Sequence, residues 1–141
     1  MKNLSIISVL FFLFISCNKN GVDSHTCTAN AATIAGTYIT IAFTYKETPT
    51  ADPYDIYAVM SPCEKDDLII LNTNNTCDRT EGEILCSPPR DESGTWSISG
   101  STLNIDDDPA TIKSFDCKTL VLVQSNLDSP GDLLTITLQK Q

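Results

Sequence analysis

Apolar and polar residues alternate in short runs along most of this chain, and turn-forming residues separate the runs. TYITIAFTY (37–45) is rich in β-branched and aromatic residues, which suit a pleated, half-buried surface. DLIILN (67–72) is a second strand, closed by an Asn-rich turn, and a weaker one runs through Cys77 and ILC (84–86) until Pro88 and Pro89 break it. TWSIS (95–99) and STLNI (101–105) meet at Gly100, a hairpin pattern. ATIKSF (110–115) and TLVLVQ (119–124) pair across Asp116–Lys118, and LLTITLQ (133–139) follows a turn cluster. The proline-rich connection KETPTADPYDIYAVMSP (46–62) allows one helical turn, with Asp52 as its cap and Pro53 at its first position. About eight short strands and no long helix predict an all-β domain. The expected form is an antiparallel up-and-down β-barrel, with a sandwich as the alternative packing.

The first residues do not fit this pattern. Lys2 precedes an apolar run from Leu4 to Ile15, which ends in Phe14-Ile15-Ser16-Cys17. The run is shorter than the ~20 residues of a membrane-spanning helix. It resembles a bacterial lipoprotein signal peptide with its lipobox. The resemblance implies removal of residues 1–16, acylation of Cys17 with fatty acids such as palmitate, and a lipid anchor. Residues 17–33 are small and polar and read as a flexible tether, leaving 34–141 as one barrel domain.

Charge narrows the partners. The chain carries a formal charge of −9, and Lys2 would leave with the signal. Such a surface excludes nucleic acid, which needs clustered Lys and Arg. It also makes electrostatic adhesion to anionic lipid unfavourable, so membrane attachment would rest on the acyl chains. No acidic run follows Cys17, where the sequence reads Asn18-Lys19-Asn20-Gly21. By the same resemblance this favours the periplasmic face of the outer membrane over the cell surface.

The barrel region carries a second resemblance. Gly36-Thr37-Tyr38 opens the first strand, Pro62-Cys63-Glu64-Lys65-Asp66-Asp67 leads into Leu68–Leu71, and Cys86 follows. Gly94-Thr95-Trp96, Leu103-Asn104-Ile105, Thr111-Ile112 and Leu120-Val121-Leu122 come in order behind them. Together these resemble the lipocalin-like domains of small bacterial lipoproteins, in which Trp is usual where this chain has Tyr38. The resemblance implies a small up-and-down barrel on a lipid tether. It allows a small apolar ligand, and equally a barrel filled by its own side chains that serves as a structural or protein-interaction module.

Five cysteines remain beyond Cys17, and an exported chain meets an oxidising compartment. In a meander, strand ends alternate between two rims. Cys63 and Cys86 fall on one rim; Cys27, Cys77 and Cys117 fall on the other. The expectation is a Cys63–Cys86 bridge and one bridge among the other three, with Cys27–Cys117 favoured and Cys77 left over. Zinc needs four close nitrogen or sulfur ligands, and neither the cysteine spacing nor the single His25 supplies them.

The acidic groups Glu64, Asp66, Asp67 and Asp106–Asp108 lack the spacing of an EF-hand. Solvated turns are the simpler reading, so no metal or cofactor is expected. Asn74-Asn75-Thr76 matches a glycosylation triplet without further support. Tyr38, Phe43, Trp96, Ile98 and Phe115 supply aromatic and apolar bulk, as barrel core or as ligand lining. No nucleophile, base and metal converge, so binding or interaction is expected rather than catalysis.

Overall fold

The structure, a computed structural model, describes residues 27–141. The signal segment, Cys17 and His25 lie outside the described residues. Among the described residues, nine strands form one antiparallel sheet that closes on itself. They are β1 (Gly36–Lys46), β2 (Tyr54–Asp55), β3 (Leu68–Leu71), β4 (Thr76–Thr80) and β5 (Glu92–Ser99), then β6 (Thr102–Ile105), β7 (Asp108–Phe115), β8 (Thr119–Ser125) and β9 (Leu133–Lys140). Each strand pairs with its sequence neighbour from β3 to β9, and β1 joins β3 to β9. Eight strands therefore make the ring. The two-residue β2 lies beside the far end of β1 at Thr44 and Tyr45. The expected meander closes as a barrel, not a sandwich.

Three one-turn helices accompany the strands: α1 (Ala31–Ile34), α2 (Ile56–Val59) and α3 (Pro62–Lys65). The cap of α2 is Asp55, whose carboxylate accepts the Ala58 N–H at 2.9 Å, so the expectation for Asp52 and Pro53 is corrected. Residues 52 and 53 precede β2, and the helical turn begins only after that strand has paired with β1. The expected strand at 84–86 is also absent. There, carboxylates replace a ladder partner: Asp66 accepts the Ile84 N–H at 2.8 Å, Asp91 accepts that of Glu81 at 3.1 Å, and Glu81 accepts that of Arg90 at 3.0 Å. Once these backbone groups are satisfied in the loop 81–91, nothing favours extending β4.

One end of the barrel is filled. Tyr38, Leu71, Leu103, Leu120 and Leu138 are fully buried, and Trp96 and Phe115 pack with them. Beneath them α1 forms a plug. Ile34 is fully buried, and its carbonyl accepts the Tyr38 hydroxyl. Burial pushes the Tyr38 phenol up to about 12, so it stays a donor at any physiological pH. Lys140, on the last strand, donates to the carbonyls of Thr33 and Ala35 at 2.8 and 2.7 Å and so satisfies the end of α1. Its stem crosses Gly36, where any Cβ would collide with it. Trp96 donates its indole N–H to the Asn72 carbonyl at 2.8 Å, which ties the β3–β4 turn to the core.

The described part of the expected tether, residues 27–33, is thus built into this base. Cys27 is bonded to Cys117, and Cys27 and Ala29 pack on the core. The physical reason is α1, whose one buried residue, Ile34, seals the barrel, with the disulfide fixing the chain just before it.

Leu120→Ala should lower stability by about 2–5 kcal/mol, because the filled base cannot collapse around the void. Ile136→Ala, nearer the opposite end, should cost clearly less. Chemical denaturation of both variants checks the contrast, and equal losses would contradict a base packed more tightly than the mouth.

Candidate ligand site in the barrel mouth

The opposite end is open. Strand periodicity turns Ile69, Arg79, Ile105, Leu122 and Ile136 inward above the filled base. Arg79 is two residues from Cys77, which is buried inside the barrel, so both side chains leave β4 on the same face. Two adjoining cavities occupy the mouth and share Arg79 and Ile136. The first, about 220 Å³, lies against Phe43, Met60 and Ile69, with Glu64, Asp67 and Arg90 at its polar side. The second, about 360 Å³, lies against Leu103, Ile105, Ala110 and Leu122, with Glu92, Asp106 and Asp108. The second alone falls at the small end of the range for ligand pockets, roughly 300–1,000 Å³.

The wall beside the first cavity is incomplete. β1 pairs with β3 only from Gly36 to Ile39 and meets β2 only at Thr44 and Tyr45. Between them, the edge of β1 has no strand partner on that side, and the α2–α3 segment covers it. Met60 and Glu64 from that segment, with Thr40 and Phe43 from β1, line the cavity there.

Charged groups fix the loops around the opening. Glu64 accepts the N–H and the hydroxyl of Ser61, each at 2.9 Å, and pairs with Arg90. Those contacts hold its carboxyl below the ordinary range. Arg79 faces Glu92 at 3.4 Å. Cys63 and Cys86 are joined, so the 81–91 loop is bonded to α3 at the rim. The Asp106 carboxylate lies over Gly94, where a Cβ would overlap it, and accepts the Thr95 N–H at 2.7 Å. Asp106 and Asp107 both have positive φ, as the two-residue turn between β6 and β7 requires.

Asp132 anchors the last rim loop. It is fully buried and accepts the N–H groups of Leu127, Asp128 and Ser129 at 2.8, 2.8 and 2.9 Å, with the Tyr45 hydroxyl at 3.3 Å. Burial pushes its carboxyl up. The three N–H groups and the phenol outweigh that and hold it below its ordinary value.

The residues expected from sequence to line a ligand divide by depth. Phe43 lines the first cavity. Tyr38, Trp96, Ile98 and Phe115 belong to the base, Ile98 at its margin. Cys77 is a free, buried thiol beneath the mouth, and burial pushes it up, away from the reactive thiolate. Among the described residues, no three His, Cys, Asp or Glu side chains are placed to hold a metal ion. Sequence reasoning missed Arg79, Ile69 and Ile136. Counting two positions forward from Cys77 and two back from Leu71 would have found the first two.

A closed, small β-barrel with one sealed end and one ligand-sized mouth is a calyx, the form shared by barrels that hold small molecules. The profile of the lipocalin-like domain family matches residues 34–122, and the chain belongs to that family. The match ends within β8, and β9 completes the ring beyond it. No curated protein matches the chain.

Because the folded Asp132 carboxyl titrates below its ordinary value of 3.8, the stability it adds is complete above about pH 4. It is lost as pH falls through the lower, folded value. Thermal melts should therefore fall on acidification below about pH 4. Asp132→Asn should lower the melting temperature at pH 7 and flatten that acid limb. Identical acid limbs in the two proteins would contradict this role.

Proposed function

We propose that this protein is a lipid-anchored lipoprotein of the cell envelope whose barrel mouth holds a small, largely apolar ligand. One observation carries the reading: apolar side chains from six strands converge on open space directly above a sealed base. A barrel with a purely structural role would gain from filling that space. The filled base favours a second reading, an interaction module in which only the rim makes contact, and the same experiment separates the two. Binding rather than catalysis is the proposed activity: among the described residues the free thiol, Cys77, is buried, and burial pushes it up, away from the reactive thiolate.

Anchorage through Cys17 fits this arrangement. The chain joins the barrel at its base, where Cys27 is bonded to Cys117. A lipid upstream of Cys27 leaves the mouth free to face away from the bilayer. The outer membrane, on its periplasmic face, is the proposed location.

Cys17→Ala should move the protein from the membrane fraction to the soluble fraction. That soluble protein should bind the neutral probe N-phenyl-1-naphthylamine with a blue-shifted rise in fluorescence. Ile136→Trp, which fills the space common to both cavities, should weaken binding by roughly tenfold or more. Retention in the membrane would remove the anchor. Absence of probe binding, or binding indifferent to Ile136→Trp, would leave the interaction module as the surviving reading.

A further inference from the structure

We propose that the mouth selects ligands that carry a protonated amine on an apolar body, and that Asp67 is the group that receives the amine. The inference rests on the mouth being a ligand site, as proposed above. Asp67 immediately precedes β3 and lines the first cavity with Ile69, its neighbour on the same face. Its Oδ1 is buried and has no hydrogen-bond donor among the described residues. A buried acceptor without a donor is costly, and native structures rarely leave one unexplained. Burial pushes the Asp67 carboxyl up; Arg79 and Arg90 oppose the shift, while Glu81 and Asp66 add to it. A cation in the cavity beside this carboxylate would give it a direct, charge-assisted partner, which neither arginine provides because each is paired with a glutamate.

The two arginines of the mouth do not invite an anion instead. Arg79 faces Glu92, and Arg90 pairs with Glu64. Five carboxylates line the two cavities against these two guanidinium groups. An anionic ligand would have to displace a glutamate already in place. The apolar body has its own surface beside Asp67, made of Phe43, Met60, Ile69 and Ile136. The stretch of β1 without a strand partner runs along the same cavity, beneath the α2–α3 segment.

Octylamine, octan-1-ol and octanoate share one chain and differ in the head group. Each should be titrated against N-phenyl-1-naphthylamine bound to the Cys17→Ala protein at pH 7. Octylamine should displace the probe at a concentration roughly tenfold lower than octanol, with octanoate weakest. In Asp67→Asn the advantage of octylamine over octanol should shrink to about threefold or less. Octanoate matching or exceeding octylamine in the parent protein overturns the proposal, even should the variant fold poorly. Displacement by all three without regard to charge also overturns it, while leaving the mouth as an apolar site. Failure of the probe itself to bind overturns both readings.

Discussion

The ring depends on β1. Its eleven residues reach from the base to the mouth, and it is the one strand that pairs with partners distant in sequence on both sides. The pairing with β9 spans all of β9 and β1 from its third residue on, from Tyr38 opposite Lys140 to Lys46 opposite Leu133. Closure of this seam removes the two free edges that an open meander would expose. It also brings Lys140 to the end of α1, so the base can be sealed only once the ring is shut.

The unequal lengths of the neighbours of β1 then decide where the site lies. β9 matches it along its length, with one register shift between Thr40 and Ala42. β3 has four residues and covers only the base half. Above Ile39 the wall passes to α2 and α3, whose side chains cannot complete a backbone ladder but can surround a small molecule. The Cys63–Cys86 bond and the carboxylates of Glu64, Asp66 and Glu81 hold that segment and the 81–91 loop together. Packing dominates at the base; electrostatics and hydrogen bonds to backbone N–H groups dominate at the mouth.

Period-two patterning made most of the barrel legible in the sequence. The hairpin around Gly100 and the paired runs on either side of Asp116–Lys118 have strong alternation and short turns, and both form as expected. The stretch at 84–86 misled because three apolar letters look like a strand, while the Asp66 carboxylate claims the Ile84 N–H, and Asp91 and Glu81 hold the two ends of the loop. The helix cap moved from Asp52 to Asp55 because strand pairing at Thr44 and Tyr45 takes precedence over local capping preference. The depth of a residue in the barrel was not legible. Trp96 and Phe43 are both inward aromatics, yet only strand stagger and register place one in the base and the other at the cavity. Arg79 reads as a surface charge until its parity with Cys77 is counted.

Amide hydrogen exchange followed by NMR tests the central claim, that a continuous β1–β9 seam closes the barrel on one edge of β1 while the other edge carries a gap. The seam amides of β9, including those of Ile136 and Leu138, should exchange only through global unfolding, at the same free energy as the core of β8. Some amides between Thr40 and Phe43, on the side without a strand partner, should exchange far faster. Rapid local exchange along β9, or uniform protection around all of β1, would contradict the account.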